Sequence, residues 1–223
     1  MSEEDELGKV DELLLRLEKN YPEVNRTALN WETPLDILVA TILSAQTTDA
    51  KVNEVTKTLF KKYRTAEDYV KVSREELEKD IHSLGFFRQK AKFVQEACKQ
   101  IIEDYGGSVP NRMEDLIKLK GVARKTANIV LSNAFGVVEG IAVDTHVMRL
   151  SKRLGLTSSN DRNKIEEDLM KIVPKERWFS FSNLIIEHGR RICSAQKPKC
   201  DVCVLNDLCP SAFSFTSNND VKQ

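Results

Sequence analysis

The sequence predicts an all-α protein, and three observations carry that reading. Nine glycines and six prolines are spread thinly over 223 residues, which leaves long stretches without a breaker. Along those stretches apolar residues recur at intervals of three and four, the repeat of a helix with one buried face. Serine, threonine or aspartate stands ahead of several of these runs and glycine behind others, which are start and stop signals for helices. A chain of this length buries a large core, as one domain or as two modest ones.

Taken in order, Val10, Leu13, Leu14 and Leu17 line one side of an expected amphipathic arm over residues 7–19. Thr33-Pro34 pairs an N-cap with proline at the first helical position, opening a helix over 35–47. Leu35, Ile37, Leu38, Val39, Ala40, Ile42 and Leu43 make that helix apolar nearly all round, so it belongs in a core. It ends in the polar cluster Ser44-Ala45-Gln46-Thr47-Thr48-Asp49, where Gln46 reads first as a solvated helix end. Asp49 is expected to cap a helix over 50–63.

Thr65 and Ser73 cap two short helices, the second through a capping box from Ser73 to Glu76. Gly85 is expected to break the second, with Phe86 and Phe87 in the turn before a helix over 89–105. Gly106-Gly107 ends that helix, and Asn111 is expected to cap the next over 112–119. Gly121-Val122-Ala123 then reads as a tight hairpin, with a new helix opening at Arg124. Its buried face carries Ala127, Val130, Leu131, Ala134 and Phe135. Asp144 is placed to cap a helix over 145–154, and two more follow over 162–173 and 175–187, separated by Pro174. Trp178, Phe179 and Phe181 are expected to anchor the last of these in a core. Beyond Cys209 the chain, ending in Ser217-Asn218-Asn219-Asp220, reads as frayed.

Charge narrows the chemistry. The 34 basic and 34 acidic residues cancel, so the global balance points to no nucleic-acid partner, whereas the local balance does. Lys118, Lys120, Arg124 and Lys125 crowd the hairpin, Arg149, Lys152 and Arg153 follow Asp144, and Arg190, Arg191, Lys197 and Lys199 bracket Cys193. Much of the compensating acid lies elsewhere, at 3–6, 75–80 and 166–168. Segregation of this kind can build a phosphate-facing surface on a neutral protein, although solvated helix faces also give such runs. No stretch approaches the roughly twenty apolar residues of a membrane span. The start at residues 1–5 lacks the basic and apolar regions of a secretion signal, so the expected compartment is the cytoplasm.

Lys125 and Asp144 are the candidate reactive pair. A helix start offers unpaired N–H groups and partial positive charge, suited to phosphate and unfavourable to protonation of an adjacent amine. Lysine beside aspartate is chemistry for a Schiff base at a carbonyl-like carbon. A surface lysine and an ordinary N-cap account for the same two residues. Four of the five cysteines, Cys193, Cys200, Cys203 and Cys209, follow the spacing C-x6-C-x2-C-x5-C, with Pro210 next. In a cytosolic chain such crowding argues for a metal site rather than disulfides. One compact loop with a single C-x2-C knuckle suits an iron–sulfur cluster better than zinc, though zinc stays open. The loop between the first two cysteines would offer Lys197 and Lys199 to phosphates. Cys98, in mid-helix, reads as a small buried hydrophobe.

Three features together resemble the endonuclease III family of helix-hairpin-helix DNA glycosylases: Leu-Lys-Gly-Val-Ala-Arg-Lys-Thr-Ala-Asn at 119–128, Val-Asp-Thr-His at 143–146, and the cysteine spacing. The resemblance covers about residues 7–210. It implies a six-helix barrel domain over 27–135, with the helix-hairpin-helix at about 112–135. It also implies a second helical domain, from 1–26 and 136–223, that holds a [4Fe-4S] cluster on the four cysteines. Double-stranded DNA with damaged bases or abasic sites would bind in a cleft between the two, to a monomer that in a prokaryote would associate with the nucleoid.

By position, Lys125 resembles the family's catalytic lysine and Asp144 its catalytic aspartate. Gln46 resembles the residue that fills the gap left by a flipped nucleotide, and Phe86 sits where a side chain wedges into the opposite strand. Lys120, Gly121, Ala123, Arg124, Thr126, His146, Arg190, Lys197 and Lys199 complete the expected DNA contacts. Lys120 stands where the family usually has proline, Ala123 where it has a second glycine, and Phe86 where it often has leucine.

The activity implied is base excision of oxidised pyrimidines, followed by strand cleavage at the abasic site through β-elimination. An adenine or mismatch glycosylase of the same superfamily is the alternative, disfavoured by Lys125 and by the absence of room for an extra C-terminal domain. A non-catalytic cluster-bearing DNA-binding module is a third reading, and it would need neither Lys125 nor Asp144.

Overall fold

The computed structural model describes residues 3–24 and 26–215, and the stretch 217–220 expected to be frayed lies outside them. Along the described chain run α1 (Glu3–Asn20), α2 (Pro34–Leu43), α3 (Asp49–Lys62), α4 (Ala66–Lys71), α5 (Arg74–Asp80), α6 (Phe87–Tyr105), α7 (Met113–Leu116), α8 (Arg124–Val130), α9 (Thr145–Arg153), α10 (Arg162–Ile172) and α11 (Trp178–Arg191). Among the described residues there is no strand, and no helix is long and apolar enough to cross a membrane. Two compact units form: Thr27–Glu139, and Met1–Arg26 together with Gly140–Gln223.

In the Thr27–Glu139 unit α2 is the central element, packed against α3, α6 and α8. Thr33 opens it with a reciprocal box: its Oγ1 accepts from Asp36 N at 3.1 Å while Asp36 Oδ2 accepts from Thr33 N at 2.9 Å. Ile37, Leu38, Val39, Ala40, Ile42 and Leu43 are all buried, as a helix apolar on every side requires. The helix stops at Leu43 rather than at the expected residue 47, because Ser44 Oγ turns back to Thr41 O at 2.9 Å and Gln46 takes a left-handed φ of 54°.

Several helix starts and ends also differ from expectation. Thr48, extended at ψ 144°, is the N-cap of α3, which places Asp49 already in the first turn, where its charge suits the helix dipole. Ser73 Oγ accepts from Glu76 N at 3.2 Å, but the Glu76 carboxylate bonds Lys62 at 2.7 Å, so only half of that capping box forms. The same helix, α5, ends at Asp80, ahead of Gly85, with the Asp80 carboxylate held by Lys62 and Tyr63. Arg112, not Asn111, is the N-cap of α7, which is a single turn. After α8 the chain continues as a π-helical turn, Leu131–Phe135, closed by Gly136. Ala127, Val130 and Leu131 of this stretch are fully buried, with Ala134 and Phe135 packed against the same core.

In the other unit α1 packs on α10 and α11, and α9 packs on both of these. The arm is docked by polar ties as well as by Val10, Leu13, Leu14 and Leu17, all at 0% exposure. Lys9 Nζ donates to Leu154 O at 2.8 Å, and Arg16 reaches Val204 O at 3.0 Å and Asp207 at 2.6 Å. A 3-10 turn, Lys175–Arg177, precedes α11, which runs to Arg191, beyond the expected 187. Trp178 and Phe181 are buried as expected, while Phe179 is only half-buried. Residues 211–215 are not frayed: they form turns, and the Phe215 ring lies 4.0 Å from the Arg153 guanidinium carbon.

Candidate active site

The hairpin between α7 and α8 requires glycine at 121. Its φ is 77°, and a methyl group there would come within 2.8 Å of the Phe93 side chain on α6. Gln100, also on α6, accepts from Lys120 N at 3.0 Å and so ties the loop down. Ala123, at φ −91° and ψ 168°, is the N-cap of α8, and no side chain caps that end. An alanine in this extended conformation carries no backbone strain, so the family's second glycine is not needed for the turn itself. Lys120, Gly121, Ala123 and Arg124 are exposed, Lys125 is half-buried in the first turn of α8, and Thr126 is buried.

A second feature of the same unit is a pair of turns. Gln46 (φ 54°) and Phe86 (φ 58°) are both in the left-handed region and both exposed, Phe86 at 66%. The turns are neighbours: a methyl group on Gly85 would lie 3.9 Å from Gln46 O. The residues expected to fill and to wedge therefore project from adjacent points of one unit.

Asp144 belongs to the other unit. As the N-cap of α9 it accepts through Oδ1 from His146 N at 2.7 Å and Val147 N at 2.8 Å, and its Oδ2 lies 3.2 Å from His146 Nδ1. The His146 ring lies against Gly189 of α11, where an added methyl would come within 2.9 Å of Cδ2. Arg149, one turn on, donates to Gly189 O at 3.2 Å and Cys193 O at 3.0 Å, joining the α9 start to the cysteine loop.

All four late cysteines line one cavity. Arg153 Nη1 donates to Cys193 Sγ at 3.1 Å and to Ser194 O at 2.7 Å. His188 Nε2 lies 3.3 Å from Cys203 Sγ, and its Nδ1 lies 2.9 Å from the Tyr21 hydroxyl. Burial holds His188 down at about 4 and pushes the Cys203 and Cys209 thiols up. Four thiols gathered around one cavity are a donor set that suits an iron–sulfur cluster. Arg190, Lys197 and Lys199 stand exposed at and near this loop. Cys98 is buried apart from it in the Thr27–Glu139 core, its thiol pushed up to about 12 by burial, as befits an inert hydrophobe.

Sequence reading missed Phe93, Gln100, Tyr21 and His188. Each supports a site residue from more than ten positions away, and no local spacing signals such a role.

A helical protein with a basic hairpin ahead of one helix and four thiols around a cavity falls in the class of helix-hairpin-helix DNA-repair enzymes with an iron–sulfur centre. Residues 39–175 match the HhH-GPD superfamily of base excision DNA repair proteins, and residues 193–209 match the iron–sulfur binding domain of endonuclease III. Endonuclease III of Synechocystis sp. is 54% identical over 204 residues, covering 92% of this chain and 93% of that one. Endonuclease III of Bacillus subtilis is 54% identical over 177 residues, covering 79% and 80%. Among solved structures, a trapped endonuclease III–DNA covalent intermediate superposes with a TM-score of 0.88 at 46% identity, covering 95% of this chain and 97% of that one. A thermostable thymine-DNA glycosylase superposes at 0.82 with 27% identity, covering 92% and 97%. The chain belongs to the endonuclease III family. It is a DNA glycosylase/AP lyase that binds DNA and carries a [4Fe-4S] cluster.

Proposed function

We propose that the enzyme excises oxidised pyrimidines from duplex DNA through a Schiff base on Lys125 and then cuts the strand by β-elimination. The observation that carries this is the placement of Lys125: half-buried in the first turn of α8, directly after a hairpin whose exposed face is basic. In this scheme the damaged nucleotide leaves the stack, because its glycosidic bond is unreachable inside it. The Lys125 amine attacks the anomeric carbon and the bond to the base breaks, the base leaving with a proton. The sugar ring then opens, the ring oxygen taking a proton as its bond to the anomeric carbon breaks, and the resulting iminium acidifies the neighbouring sugar carbon. Loss of a proton from that carbon expels the 3′ phosphate. Asp144, held by two backbone N–H groups, supplies a fixed negative charge as the base departs and assists transfer of the lysine proton.

Gln46 fills the gap left by the flipped nucleotide, Phe86 wedges into the opposite strand, and Lys120, Gly121, Ala123, Arg124, His146, Arg190, Lys197 and Lys199 contact the DNA. Thr126, whose side chain is buried, takes part only through its backbone. Cys193, Cys200, Cys203 and Cys209 hold the cluster. With four thiolates engaged, the bound cluster would leave no position for substrate and would rigidify the loop that presents Lys197 and Lys199. The enzyme acts as a monomer in the cytoplasm.

Lys125→Ala should abolish the borohydride-trapped protein–DNA adduct while duplex binding persists. Trapping that survives in this variant overturns the assignment. A cleavage panel over thymine glycol, dihydrouracil, uracil, an abasic site and adenine opposite oxidised guanine separates this substrate class from the adenine and mismatch readings. Binding to an abasic duplex without cleavage would instead support a non-catalytic module.

A further inference from the structure

Lys90 lies at 3% exposure in the first turn of α6, with its backbone N–H donating to Phe86 O at 3.1 Å. Its ammonium crosses to the neighbouring turn and donates to Thr47 Oγ1 at 2.6 Å. Among the described residues this hydroxyl is its one hydrogen-bond partner, and no carboxylate pairs with it. A cation withdrawn from water and met by a single neutral oxygen stabilises a fold poorly, since desolvation of the charge is scarcely offset. Burial accordingly lowers its pKa. An apolar side chain of the same length would serve the core better, so the amine needs another reason to be there.

The geometry supplies one. Thr47 follows left-handed Gln46, and the Lys90 backbone bonds Phe86 O, so the side-chain hydrogen bond ties the first turn of α6 to the residue beside Gln46. A methyl group on Gly85 would lie 3.9 Å from Gln46 O and 4.0 Å from Thr47 Oγ1, so the turns are close, and among the described residues no other side-chain hydrogen bond joins them. We propose that Lys90 is a positioning residue that clamps the Gln46 turn onto the Phe86 turn, so that both side chains enter the duplex as one rigid probe. Two left-handed residues on short loops would otherwise relax independently, and the ordering would then be needed during base extrusion. This deepens the reading of Gln46 and Phe86 as DNA-probing residues and rests on it.

The test uses the full-length holoenzyme and a thymine glycol duplex with 2-aminopurine beside the lesion, whose fluorescence reports unstacking. Lys90→Met, Thr47→Val and the double variant are compared with Gln46→Ala and Phe86→Ala, together with thermal melting of each. Lys90→Met is expected to melt no lower than the parent, yet to slow both the fluorescence rise and single-turnover excision by about tenfold. Thr47→Val should show the same defect, and the double variant should be no slower than either single one, because both remove the same bond. If Lys90→Met fails to fold, Thr47→Val carries the comparison. Unchanged extrusion in Lys90→Met or Thr47→Val, with Gln46→Ala and Phe86→Ala impaired, overturns the role of Lys90 alone. Slowing no greater than the loss of folded protein overturns it too. Unchanged extrusion in Gln46→Ala and Phe86→Ala overturns the reading of the turns, and the clamp falls with it.

Discussion

Asp144 is the N-cap of α9, and the proposed mechanism gives the same carboxylate a second duty. Oδ1 takes two of the orphan N–H groups at the start of α9, and Oδ2 lies 3.2 Å from His146 Nδ1. The two duties separate by substitution. Asp144→Asn keeps an oxygen for the cap and removes the charge, so its urea midpoint should stay near the parent's while single-turnover excision falls by about a hundredfold or more. Asp144→Ala should lose the same activity and about 1 kcal/mol of stability besides. Should Asp144→Asn excise at the parental rate, the carboxylate is a cap and nothing more. At this scale the residues proposed for the chemistry stand out in the sequence by type, since a Schiff base needs an amine and a cluster needs thiolates. Their supports were not. Gln100 reaches the hairpin across 20 positions and Tyr21 reaches His188 across 167, distances at which spacing carries no signal.

Among elements, the hairpin shows how much of a turn is local and how much is imposed. Gly121 could be placed from sequence as a helix stop, but the reason it tolerates no side chain is the Phe93 ring beneath it. Gly121→Ala combines left-handed strain with overlap at 2.8 Å and should cost about 2–4 kcal/mol in chemical denaturation. A loss below 1 kcal/mol would mean that the hairpin and α6 are not packed as described. Helix ends were the weakest part of the sequence reading for a related cause. The end of α2 at Leu43 goes with Gln46 leaving the helical conformation two residues past Ser44, and that of α5 with the hold of Lys62 and Tyr63 on Asp80. Propensity favours continuation in both places, and side-chain contacts override it.

For the molecule as a whole, two compact units imply two separable stabilities. The Thr27–Glu139 unit has an apolar core from Leu29 to Leu131, whereas the cysteine loop is mostly turn and short 3-10 structure over half-buried thiols. Removing the cluster by chelation after oxidation should therefore open residues 193–209 to protease while the Thr27–Glu139 unit stays resistant and helical. Mass spectrometry of the fragments reads this directly. Simultaneous loss of both units would show that the cluster supports the entire fold and not one loop.

Amino-acid order alone was enough for the helical class, the hairpin, the Asp144 cap and the cysteine loop, because periodicity, capping and ligand spacing are relations between near neighbours. Packing in three dimensions set the rest. The docking of the arm through Lys9 and Arg16, the burial of Lys90 against Thr47, and the meeting of two left-handed turns all join residues far apart in the chain. Desolvation and close contact arise from whatever the fold places alongside a group, and a linear pattern holds no record of that.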